Sequence, residues 1–180
     1  MISVGLDLSL ASTGFAIIKN GEQVLASGVI KSKPSGDLPI NETKRIVKIA
    51  ETIVQKIDEV CPNKNPDIIC IENLAFMARN TSALTQLAGL AHIVRTLLVE
   101  FGWKYCLVAP STLKKFVTNS GRADKDIMML EVFKRWGFSS MNSDICDAYA
   151  LAKIGQAIIG SMETTTNEQK ECLQLLKKQL

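Results

Sequence analysis

The stretch Asp67-Ile68-Ile69-Cys70-Ile71-Glu72 constrains the fold more than any other part of this sequence. It is an unbroken apolar run between two acids, preceded by Pro66, with no alternation to divide an inner from an outer face. A strand of that kind needs cover on both sides, so it belongs in the middle of a sheet that carries helices on each face.

The remaining elements fit around that strand. Residues 2–8 alternate with period two, setting Ile2, Val4, Leu6 and Leu8 on one face and Ser3, Gly5 and Asp7 on the other. Residues 15–18 form a second strand, and Asn20-Gly21 is a hairpin signal leading into a third over 23–30. A loop over 34–39 then gives way to helical spacing, with Ile46, Ile49, Ala50, Ile53, Val54 and Ile57 recurring every three or four residues. Beyond Glu72 the pattern predicts a long helix over 80–101, a short strand over 104–108, and helices from Pro110, over 124–136 and over 143–159. Three meandering strands followed by alternating helices and strands predict an α/β fold with a mixed five-stranded sheet flanked by helices. The expected organisation is one domain over 1–160 and a tail over 161–180 that is a short docking helix or partly disordered.

Composition narrows the function classes. Five cysteines lie scattered without CxxC spacing, which is read as a set of free thiols in a reducing, cytoplasmic setting. No run is long and uncharged enough for a membrane span, and no basic leader precedes the first apolar stretch, so neither a membrane partner nor a secretory signal is expected. With a single histidine, His92, placed among Ala91, Ile93 and Val94 as a packing residue, any metal site must be built from carboxylates.

Four acids are candidates. Asp7 sits inside a strand, where a charge is costly unless something pairs with it. Glu72 stands at the C-terminal end of the central strand, and strand ends are where sites form in such folds. Asp144 and Asp147 stand three apart at a helix start and share one face. Each has an ordinary reading: a loop cap, a solvated strand end, or acids complementing a helix dipole. Together they converge, and the small residues Ala148, Ala150 and Ala152 would let their helix approach the sheet. Ionised carboxylates crowded in that way require cations between them. Oxygen ligands favour Mg²⁺, with Mn²⁺ able to substitute, and two such ions about 4 Å apart would activate water and clamp a phosphodiester.

Positive charge gathers nearby in sequence. Lys114, Lys115, Arg122 and Lys125 outweigh the neighbouring acids, Arg79 follows Glu72, and Lys31 with Lys33 closes the third strand. Such residues would neutralise phosphates without reading sequence. Phe76 is a candidate wedge in DNA, whereas Lys134 and Arg135 read as a solvated helix face.

These residues lie in blocks that resemble the RuvC family of Holliday-junction resolvases. The blocks are Gly5-Leu6-Asp7-Leu8-Ser9 with Thr13-Gly14-Phe15-Ala16, then Ile71-Glu72-Asn73 with Phe76-Met77-Ala78-Arg79-Asn80. Ala109-Pro110, Lys114-Lys115 and Gly121 to Lys125 follow, and Asp144-Ile145-Cys146-Asp147-Ala148 completes the series. The resemblance implies a ribonuclease H-like fold and symmetric paired nicking of Holliday junctions and other branched DNA. It assigns Asp7, Glu72, Asp144 and Asp147 to the metal-binding catalytic acids. Lys114 and Lys125 become the lysines at the scissile region, and the helix after Glu72 becomes a homodimer interface. The aromatic that the family often carries three residues after the glutamate is Ala75 here, with Phe76 one position later. Three other readings compete: a looser nuclease for three-way junctions and flaps, a catalytically silent binder of branched DNA, and an actin-like kinase. The kinase would need a duplicated domain that is absent from this sequence. No preferred cleavage sequence and no branch-migration helicase partner is legible.

Overall fold

Asp67 and Glu72 do bracket a central strand. The computed structural model describes residues 1–36, 38–62, 65–74 and 81–180. Strands β1 (Ile2–Asp7), β2 (Ser12–Lys19) and β3 (Gln23–Lys31) form an antiparallel meander, and β4 (Ile68–Glu72) and β5 (Tyr105–Val108) extend it in parallel. The order across the sheet is β3-β2-β1-β4-β5, so β1 and β4 are adjacent. The three-residue turn between β2 and β3, Asn20 to Glu22, holds Asn20 and Gly21 at φ 51° and 85°, left-handed values that asparagine and glycine tolerate best.

Helices cover both faces. On one side α1 (Pro39–Val60) and α2 (Thr81–Glu100) pack Ile46, Ile53, Leu90 and Val94 over Ile2, Val4, Leu6 and Leu8. On the other, α3 (Pro110–Thr118), α4 (Lys125–Trp136), α5 (Ser143–Ile158) and α6 (Asn167–Leu176) enclose a second cluster around Phe116, Tyr149 and Leu151. The period-two pattern of β1 therefore sorts its side chains between the two cores. Ser3 faces α5 and donates to the carbonyl of Ala152 at 2.7 Å.

The contact between α5 and the sheet positions everything that follows. A Cβ at Gly5 would overlap the carbonyl oxygen of Ala148, and one at Gly14 would overlap that of Asp144. Glycine on the strands and alanine on the helix thus bring backbone against backbone, and the start of α5 is pressed onto the ends of β1 and β2.

The last residues are ordered against this frame. Cys172, Leu173 and Leu176 of α6 are buried, whereas Leu180 is exposed. The Gln179 side chain accepts from the backbone N–H of Leu107 and donates to its carbonyl, both at 2.9 Å, covering part of the open edge of β5. All five cysteines are free and buried. One helical segment, Ser82–Glu100, is long and apolar enough to cross a membrane by length and composition, and 22% of it is buried within the protomer.

Candidate active site

Parallel pairing aligns Leu6 with Ile71, so the next residues, Asp7 and Glu72, stand side by side at the C-terminal end of the sheet. The first turns of α5 bring Asp147 to the same point. Asn142 caps that helix, its side chain accepting from the backbone N–H of Asp144 at 2.8 Å. A cleft of about 280 Å³ results, walled by Asp7, Glu72 and Asp147 on one side and by Lys114 and Lys125 on the other, over Pro110, Leu113 and Met128. Asp144 lies at its rim. Its carboxylate accepts from Ser12 Oγ at 2.8 Å, and Lys125 Nζ stands 3.9 Å from Oδ1 while donating to Ser143 Oγ at 3.2 Å.

The electrostatics follow from burial and crowding. Burial, then the neighbouring Glu72, then Asp147 and Asp144 push the Asp7 carboxyl up to about 9. Asp147 rises to about 6, first through burial and then through Glu72, with Lys125 and Lys114 opposing. Glu72 also rises because it is buried, although its hydrogen bond with Asp7 and the two lysines pull the other way. Without a cation the trio keeps a proton.

The donor set fits a hard divalent ion. Its ligand atoms are all carboxylate oxygens, half-buried, of one sign and destabilised by one another, and a divalent charge removes that penalty. Among the described residues no three His, Cys, Asp or Glu side chains form a ready-made cage. Asp7 and Glu72 instead share the hydrogen bond of a protonated pair, which a cation would replace.

The remaining candidates divide. Lys115 points away from the cleft and pairs with Glu171 of α6 at 2.7 Å. Arg122 is exposed on the turn between α3 and α4, outside the cleft lining. Phe76 and Arg79 lie outside the described residues. Three polar residues that sequence reasoning did not single out support the site: Ser12, Asn142 and Ser143. Their hydroxyl and amide groups form the inner contacts of Asp144 and Lys125; Asn142 and Ser143 immediately precede a candidate acid in sequence, whereas nothing in the sequence links Ser12 to Asp144. Ser9 and Thr13 close the loop behind Asp7, the Thr13 hydroxyl donating to the Ser9 carbonyl at 2.7 Å and accepting from its N–H at 3.1 Å.

Residues 3–168 match the family model described as crossover junction endodeoxyribonuclease RuvC. A curated protein of that description from Rickettsia massiliae is 31% identical over 157 residues, covering 84% of this chain and 94% of its own length. The RuvC structure from Thermus thermophilus superposes with a TM-score of 0.71 at 19% identity, over 92% of this chain and all (100%) of that one. The same protein in complex with a Holliday junction substrate gives 0.67 at 18% identity, over 92% and 99% of the two chains. The fold is thus ribonuclease H-like.

Proposed function

This chain belongs to the RuvC family of crossover junction endodeoxyribonucleases, metal-dependent nucleases that resolve Holliday junctions, and from that premise we propose how its own residues do so. Asp7, Glu72, Asp144 and Asp147 would hold two Mg²⁺ ions, with Mn²⁺ able to take their place. The observation that carries this reading is the convergence of the half-buried Asp7, Glu72 and Asp147 in one cleft with Lys114 and Lys125.

When bound, such ions would supply Lewis-acid stabilisation to a phosphodiester and lower the pKa of water. The protein does the rest. Asp7 and Glu72 stand side by side at the ends of paired strands, which sets the spacing of their carboxylates for the ions. Asp144 is oriented by Ser12 and by the helix cap, so its carboxylate keeps one geometry as substrate arrives. Lys114 and Lys125 face the acids across the cleft and stabilise negative charge developing on the phosphate. Lys125 is held over the site by Ser143 and Asp144. Arg122, Lys115, Arg79 and Phe76 are the outer DNA contacts in this proposal, and Lys115 must first leave Glu171 to serve.

Symmetric cutting requires two such sites. Helix α2 offers the surface for a second copy: a long apolar helix only partly covered within its own protomer, with Leu87, Ile93 and Leu97 half-buried and Val99 exposed. A homodimer through α2 would cover it and set two clefts against opposite strands. A cytoplasmic location accords with five buried free thiols.

The test uses a labelled immobile four-way junction in Mg²⁺, with three-way and linear duplexes beside it. Paired symmetric nicks by the parent, and none by Asp7→Asn, are expected. Equal rates on three-way junctions would widen the substrate to branched DNA in general. Tight binding without cutting in Mg²⁺ or Mn²⁺ would leave a catalytically silent junction binder instead.

A further inference from the structure

A second basic surface lies away from the acid cleft, between the edge strand β3 and helix α1. It is a groove of about 610 Å³ with an aliphatic floor that includes Val29 and Ile49. Lys31 and Lys33 line its β3 wall, while Lys44, Lys48, Thr52 and Lys56 follow one another at four-residue intervals along the α1 wall. No acid lines it. Lys56 is neutralised by Glu59 at 2.7 Å. Arg45 is committed to holding the neighbouring loops, donating to Leu10 O at 2.6 Å and Ser32 Oγ at 2.8 Å. Lys31, Lys33, Lys44 and Lys48 are exposed and have no ion-pair partner among the described residues.

Position gives this groove its meaning. Lys31 is the register partner of Ser12, and Ser12 donates to Asp144. The upper end of the groove therefore begins one strand spacing, about 5 Å, from a residue that orients the candidate active site. From there it runs along α1 away from the cleft, over about 18 Å between Lys44 and Lys56. Like charges four residues apart on a helix repel, and a polyanion laid along them removes that repulsion. A groove that starts beside the scissile position and carries unpaired lysines on both walls suits the sugar–phosphate backbone of a duplex.

We propose that the β3–α1 groove binds the phosphate backbone of a DNA arm leaving the cut site, through Lys31, Lys33, Lys44 and Lys48. The proposal rests on the nuclease reading for its substrate, but not on junction selectivity. Backbone contacts of this kind carry no sequence preference. They give the arm a track and lengthen the footprint beyond the cleft.

The experiment compares the parent with Lys44→Gln/Lys48→Gln and with Lys177→Gln/Lys178→Gln, an exposed pair at the far C-terminus that removes the same charge. Binding of a labelled four-way junction and of a linear duplex is measured across a salt series in EDTA. Each phosphate contact contributes about 0.9 to the slope of log K against log salt. Loss of Lys44 and Lys48 is expected to lower the slope by about 1.8 on both substrates and to weaken binding at least severalfold at low salt. The Lys177/Lys178 variant should keep the parent slope. Equal slopes for all three proteins, or an equal fall in both variants, would overturn the groove. Because the linear duplex reports the same contacts, the groove is decided even if the parent shows no preference for junctions, a result that would count against the resolvase reading alone.

Discussion

The two ends of helix α5 bury polar groups against the same sheet in opposite ways. Toward its C-terminal end, Lys153 is 3% exposed and donates to Gly21 O at 2.5 Å, with its ammonium over the rings of Tyr149 and Trp136. Gln156 donates to Ser3 Oγ at 2.8 Å and Ile18 O at 2.9 Å and accepts from Gly21 N–H at 2.7 Å. The Lys153 ammonium and both ends of the Gln156 amide have partners, and the result is a pin that fastens the β2–β3 hairpin to the helix. At the N-terminal end, Asp147 meets Asp7 and Glu72, and the burial of like charges raises all three carboxyls. One end is closed and structural; the other is left in electrostatic debt that only an added cation discharges. Buried polarity by itself does not mark a site, but buried polarity without compensation does.

That contrast is sharpened first by changing the uncompensated end. Glu72→Gln or Asp147→Asn should reduce junction cutting to background while leaving junction binding within a few-fold of the parent, as read by gel shift beside a cleavage assay. Simultaneous loss of binding would assign the residue a structural role, like those at the other end. Next in size is Lys125→Ala, which should slow single-turnover cutting by about a hundredfold with Mn²⁺ binding unchanged. An unchanged rate would remove Lys125 from the chemistry.

The closed end should answer in stability alone. Gln156→Leu leaves the Ile18 carbonyl and Gly21 N–H without their partner, at about 1–3 kcal/mol for each orphaned group. Denaturant unfolding should register that loss while the folded variant cuts at the parent rate. A cutting defect without destabilisation would erase the distinction between the two ends. The smallest effect concerns pH. Asp147 titrates near 6 in the folded chain against an ordinary 3.8, so the folded state holds the extra proton between those values. Its contribution is therefore complete below about pH 4 and lost as pH rises through about 6. The full shift corresponds to about 3 kcal/mol, and partial exposure reduces that to about 1–2 kcal/mol. Metal-free protein should lose that share across the window on top of the share from Asp7, and Asp147→Asn should make the curve shallower without flattening it.

Much of this was legible in the sequence because local chemistry and tertiary role coincide. The alternation from Ile2 to Leu8, the Asn20-Gly21 turn and the apolar run before Glu72 each specify an element without reference to distant residues. Asp7 could be singled out because an aspartate in a strand is locally unfavourable, and Glu72, Asp144 and Asp147 because a strand end and a three-residue helical spacing place acids together. Distant pairing was hidden. Gly5 and Gly14 look like ordinary strand glycines until Ala148 and the Asp144 backbone press on them. Lys115 belongs to the basic run by sequence, yet α6 supplies Glu171 and turns it from the cleft. Gln156 shows nothing of the hairpin it holds, since its partners lie more than a hundred residues away.

The central claim is that the acid cluster is built for cations, and Mn²⁺ binding followed by electron paramagnetic resonance tests it most directly. With an uncleavable four-way junction bound, the parent should take up two ions per protomer, and Asp7→Asn should lose at least one of them while still holding the junction. Absence of bound Mn²⁺ on the parent, or identical binding by the two proteins, would contradict the account.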